Sequence, residues 1–123
     1  GAPPATNPLV LEKDIALITR KPTRVLELRN MLKTEELEDD EMYEEIVDDV
    51  KDECSKFGAL KKVQIPRPNP GGSPVAGLGR VFLVYDNVDD CAKAFTALGS
   101  RKFDGRLIIA TYLDEDKFER GEI

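Results

Sequence analysis

The chain has 123 residues, 41% of them apolar and 34% charged, and carries a net charge of -6. That length fits one compact domain with a real core, not two. The acid excess argues against tight non-specific nucleic-acid binding, which draws its affinity from cations that neutralise phosphates, but it leaves room for a local basic patch.

Residues 1–22 are rich in proline and polar residues apart from Leu9-Val10-Leu11 and the run from Ile15 to Ile18. They read as a flexible lead with a short ordered piece, ahead of a domain at residues 23–123. "VLELRN" (25–30) alternates apolar and polar residues as a half-buried strand does. Thr34 to Asp40 is acidic and begins a helix. From Tyr43 the apolar residues recur at 46, 47, 50, 54 and 57, a helical spacing. Gly58 ends the helix in the usual place for a left-handed cap. Leu60–Ile65 is a second strand, and "PRPNPGGSPVAGLG" (66–79) is a long loop full of turn residues. Arg80–Tyr85 is a third strand. Asp86 or Asn87 caps a second helix bearing Val88, Cys91, Ala92, Phe95 and Leu98, and Gly99 stops it. Arg106–Tyr112 is a fourth strand, and Asp114–Arg120 is a short third helix with Phe118 as its apolar contact. The order βαββαβ plus a tail helix predicts an α+β, ferredoxin-like fold: a four-stranded antiparallel sheet with two helices on one face.

The two cysteines, Cys54 and Cys91, fall on the apolar sides of these helices. With no CxxC spacing and no histidine they predict reduced core thiols, as in an intracellular protein, and no metal site. No apolar run approaches the ~20 residues needed to span a bilayer, and no signal-peptide pattern appears, so no membrane association is expected. Nucleophile–base pairs, P-loops and cofactor motifs are also missing, so the expectation is no enzyme, no catalytic residue and no cofactor.

The acidic helix is the most informative stretch. Residues 34–53 hold 12 of the 24 acidic residues and one lysine, Lys51. On a wheel with Tyr43 at 0°, Ile46, Val47, Val50, Cys54 and Phe57 lie within about 60° of it, at about 100° per residue. Glu41, Asp48 and Asp52 point away and form a solvated back. Glu45, Asp49 and Glu53 make an i, i+4, i+8 row along the border of the apolar face. Like charges at that spacing cost a few tenths of a kcal/mol per pair, about what a favourable pair would gain. The row is therefore either a solvated edge or the seat of a cationic partner. "SRKFDGR" (100–106) is similarly open. Phe103 can simply pin the turn, whereas Arg101 carries a planar guanidinium suited to stacking on an aromatic ring.

The element order, with "VLELRN" on the first strand and "GLGRVFLVY" on the third, resembles an RNA-recognition motif (RRM). That family stacks bases on one first-strand and two third-strand aromatics. Aligned on Asn30, Phe82 and Tyr85, the first-strand position holds Glu27 and one third-strand position holds Arg80. Phe82 alone remains of the exposed platform, because Tyr85 has core parity. Two lost stacking contacts weaken RNA binding by roughly 2–6 kcal/mol. Glu27 and Arg80, neighbours across the central strands, can pair on a solvated sheet, and Phe118 on the tail helix can close the platform.

"DDEMYEEIVDDVKDECSKFGALKKVQIPRP" (39–68), "PVAGLGRVFL" and "GSRKFDGR" narrow the likeness to the UHM (U2AF homology motif) family, RRM-like folds that bind protein. It covers residues 24–120. The tail "DEDKFERGE" is similar to some members, whereas others end in further aromatics. The resemblance implies a nuclear pre-mRNA splicing module. It implies a ligand with several Lys or Arg residues before a single Trp, in partners such as the branch-point-binding protein and the large subunit of the U2-associated splicing complex. By the same resemblance the Trp enters a pocket between Arg101 and Phe103, beside Ile46 and Val50, and Glu45, Asp49 and Glu53 hold the cations. A monomer with weak or no RNA binding is the expectation. Two alternatives stay open: an RRM contacting single-stranded RNA through Phe82, Arg80, Lys61, Lys62 and Arg67, and a homodimerisation module.

Overall fold

The computed structural model describes residues 18–19, 21–99, 101–103 and 105–123. Most of the expected 1–22 lead lies outside the described residues. Within it, Ile18–Thr19 forms a two-residue strand.

The main strands are β1 (Val25–Arg29), β2 (Leu60–Gln64), β3 (Val81–Tyr85) and β4 (Ile109–Leu113), and the helices are α1 (Asp40–Cys54), α2 (Val88–Leu98) and α3 (Glu115–Glu119). The sheet order is β4-β1-β3-β2, all antiparallel, with Ile18–Thr19 paired outside β4. This is the ferredoxin-like plan of the RRM. The core beneath α1 and α2 contains Leu26, Leu28, Val50, Leu83, Tyr85 and Leu98. Cys54 and Cys91 are buried there as free thiols, and burial pushes each thiol up to about 12.

Local chemistry explains where the elements start and stop. Asp39 caps α1 by accepting from the Met42 amide at 2.9 Å, and Asn87 caps α2 by accepting from that of Asp90 at 2.9 Å. The acidic segment predicted as helix from Thr34 is instead a 3-10 turn, Thr34–Leu37, pinned by the buried Leu37. Arg67 fastens that turn to the loop after β2, donating to the Leu37 and Glu38 carbonyls and lying 4.6 Å from the Tyr43 ring. Gly58 is not a left-handed cap. Its φ is +154°, and a Cβ there would come within 2.1 Å of the Asp90 side chain, so close packing selects the glycine.

The fourth strand also differs from its predicted span. Arg106–Leu107 pairs with Lys102–Phe103 in a small hairpin, and the sheet strand starts only at Ile109. Ile108, between them, is buried and anchors the crossing.

Two tyrosine hydroxyls pin α1 near its two ends. Tyr43, in its first turn, donates to the Ile65 carbonyl at 2.8 Å. Tyr85, on β3, donates to the Cys54 carbonyl at 2.8 Å, satisfying one of the orphan acceptors of the last turn.

The opposite face of the sheet is covered, which decides for the platform closed by Phe118 and against the solvated one. Phe82 is fully buried under α3, its ring centroid 5.6 Å from that of Phe118. Val25, Leu113 and Ile123 complete a second small core there. Gly77, with φ +78°, lies so flat on Phe82 that a Cβ would meet the ring at 2.9 Å. Glu27 and Arg80 do pair, at 2.9 Å, but in a dry setting: they are 0% and 8% exposed. Arg29 takes the other oxygen of Glu27 at 2.6 Å. Arg24 clamps Glu115 through its backbone and side chain, which holds the start of α3 and keeps the Glu115 carboxyl below its usual range.

Candidate functional site

On the helical side lies a cavity of about 550 Å³ between α1, the end of α2 and the small hairpin. Its apolar lining comes from Met31, Leu32, Ile46, Val50, Leu98 and Ile108. Arg101 and Phe103 stand over it from the hairpin, and Glu36, Asp49, Asp52 and Glu53 border it. All four residues expected to line a Trp pocket, Arg101, Phe103, Ile46 and Val50, therefore come together around one opening. Phe103 is 46% exposed, an unusual setting for an aromatic ring that touches an apolar cavity.

The hairpin is held in place by backbone chemistry. The Arg101 amide donates to the Leu98 carbonyl at 3.1 Å, and the Ile108 amide donates to the Arg101 carbonyl at 3.0 Å. Asn30 has φ +67°, a conformation that asparagine tolerates better than most residues. Its side-chain amide donates to the Leu107 carbonyl at 3.0 Å, and Arg106 donates to the Met31 carbonyl at 3.2 Å. The end of β1 thus sets the height of the hairpin over the cavity.

The three acids of the α1 row are not equivalent. Glu45 and Asp49 are exposed, and neither has an ion-pair or hydrogen-bond partner for its side chain among the described residues. Glu53 is occupied: Arg101 donates to its Oε1 at 2.7 Å and Lys56 to its Oε2 at 2.8 Å. These bonds, that from Lys56 foremost, hold the Glu53 carboxyl below its usual range. The sequence admits either a solvated edge or the seat of a cationic partner for this row, and its third member is answered from within the chain. Arg101 lies 48 residues away, beyond the reach of any local pattern. Asp52, expected on the solvated back of α1, is exposed but reaches the rim of the cavity.

Sequence reasoning missed Met31, Leu32, Glu36, Leu98 and Ile108 as site residues. The apolar ones carry no signal that separates a cavity floor from a core. On the sheet face, Glu27, Arg80 and Phe82 meet as expected but are buried together, so the degenerate platform is also closed. Among the described residues there is no cluster able to hold a metal, and no helix is long and apolar enough to cross a membrane.

No family model matches the chain. It is 44% identical over 118 residues to the B form of the U2af large-subunit splicing factor of Oryza sativa, covering 96% of this chain and 22% of that protein. It is 48% identical over 100 residues to the A form of the same splicing factor from Nicotiana plumbaginifolia, covering 81% and 18%. The chain thus spans about a fifth of the length of the curated relatives it matches. Among solved structures, the RRM of RNA15 superposes with a TM-score of 0.55 at 19% identity, covering 80% of this chain and 99% of that one, a likeness of fold. Homology across most of the sequence and the RRM architecture together identify the chain as an RRM-fold, UHM-type domain of the U2AF large-subunit family.

Proposed function

We propose that this domain is a protein-recognition module of a nuclear pre-mRNA splicing factor and binds short Lys/Arg-rich segments that carry one Trp. The observation behind this reading is the apolar cavity beside unpartnered carboxylates: a slot for one large ring next to sites for cations. Its size lies within the usual range for ligand pockets. Phe103 packs on the indole, Arg101 covers it while tied to Glu53, and Glu45 and Asp49 take the ligand's basic residues. Suitable ligands are segments of the branch-point-binding protein and of the large subunit of the U2-associated splicing complex. The relatives named above are splicing factors, which supports this setting.

RNA binding through the sheet is the weaker reading. Phe82 and Arg80 are buried, and Arg67 is tied to the first turn of α1; Lys61 and Lys62 remain exposed on β2.

Calorimetry with a basic, single-Trp peptide and, separately, an oligopyrimidine RNA tests the assignment. The expected result is peptide binding that disappears when the peptide's Trp becomes Ala, with little or no heat from RNA. RNA binding that depends on Phe82, with the peptide ignored, would overturn it.

A further inference from the structure

A Trp buried in an apolar pocket brings a polar N–H with it, and that donor needs an acceptor. Resting on the Trp-pocket reading above, we infer that Glu36, on the 3-10 turn before α1, accepts the hydrogen bond from the ligand's indole N–H.

Four carboxylates border the cavity: Glu36, Asp49, Asp52 and Glu53. Asp49 and Asp52 are exposed, so water satisfies them. Glu53 is half-buried, but each of its oxygens already holds a donor, Arg101 on one and Lys56 on the other. Glu36 is half-buried too, yet its carboxylate has no partner among the described residues. Two main-chain acceptors on the floor are engaged: the Met31 carbonyl receives Arg106, and the Leu98 carbonyl receives Arg101. Glu36 is thus the lining carboxylate that is both drawn from solvent and unanswered. It is held there by the fully buried Leu37 beside it and by the Glu36 amide donating to the Lys33 carbonyl at 3.1 Å. A site built to bond an N–H discriminates against a ring of the same shape that lacks one. Glu36 would therefore select Trp over other large aromatics.

The test is a double-mutant cycle with a synthetic basic, single-Trp peptide and its twin in which benzothienylalanine replaces Trp, exchanging N–H for sulfur at nearly constant shape. For the unaltered 123-residue chain, the exchange should weaken binding about tenfold, as expected for a hydrogen bond to a charged acceptor. For Glu36→Ala, the two peptides should bind alike. Glu36→Gln, which keeps an acceptor oxygen, should restore part of the preference. Equal loss on the exchange in the unaltered chain and in Glu36→Ala would overturn the assignment by placing the acceptor elsewhere, as would no loss in the unaltered chain. If the Trp peptide fails to bind the unaltered chain at all, the pocket reading falls and takes this inference with it. Binding without an N–H preference removes Glu36 alone. Thermal melts of both variants confirm folding.

Discussion

The two faces of this domain handle charged groups in opposite ways. On the sheet face, Glu27 has a cation on each oxygen and is fully buried. On the helical face, Asp49 and Glu36 stand without partners among the described residues at an apolar opening, and Glu45 stands likewise one turn before Asp49 on α1. A satisfied, dry polar cluster is part of the architecture. An unsatisfied one beside a cavity is where a partner has something to contribute. The contrast teaches that the RRM surface normally associated with RNA has become interior here, while the side normally left as scaffold has become the face with unmet chemistry.

Breaking the sheet face should have the largest effect, on stability alone. Glu27→Ala removes the buried carboxylate that Arg80 and Arg29 share and should cost about 3–5 kcal/mol in urea unfolding. Peptide affinity of the folded fraction should be unchanged. Phe118→Ala uncovers Phe82 and should cost about 3 kcal/mol. Oligopyrimidine RNA should still not bind, because one aromatic beside a carboxylate makes a poor stacking surface. RNA binding gained on this substitution would mean that α3 had masked a working platform.

Breaking the helical face should instead move binding and spare stability. Phe103→Ala should weaken a basic, single-Trp peptide by about 2 kcal/mol or more, roughly thirtyfold, with little change in melting temperature because the ring is half in solvent. The chain contains no Trp, so the fluorescence of the peptide's own indole reports this directly. Asp49→Lys should weaken the peptide several-fold at low salt, and the deficit should shrink as salt screens the exposed charges.

The smallest effect expected is with pH. Because Lys56 and Arg101 lower the Glu53 carboxyl in the folded chain, its stabilising contribution is fully present above the unfolded value of about 4.3 and is lost only as pH falls through the lower folded value. Peptide affinity should therefore be flat from about pH 7 to 5. A decline beginning near pH 6 would show that a group other than Glu53 governs the pH dependence of binding.

Much of this division was legible in the chain, and the parts that were not share a cause. The helical periodicity from Tyr43 to Phe57 located the acid row, because it depends only on local geometry. The departures of Glu27 and Arg80 from the RRM pattern located the altered platform. Whether the sheet is solvated or closed by Phe118 stayed open in the sequence, because a charged residue at an alternating position looks the same whether it faces water or two guanidiniums. The burial of Phe82 depends on Gly77, Phe118 and Ile123, which no local pattern brings together. The pairing of Glu53 with Arg101 and the cavity floor are likewise assembled from distant segments.

The tyrosine pins on α1 have a further consequence. A helix fastened at both ends to a sheet is a ruler with fixed graduations. Glu45 and Asp49 are four residues apart, a rise of about 6 Å. An extended peptide advances about 3.3 Å per residue, so two of its residues cover nearly the same span. A strand-like ligand laid along α1 would therefore present alternate side chains to successive acids. Its basic residues would be read at every second position, and inserting a single residue ahead of the Trp would put the whole series out of step.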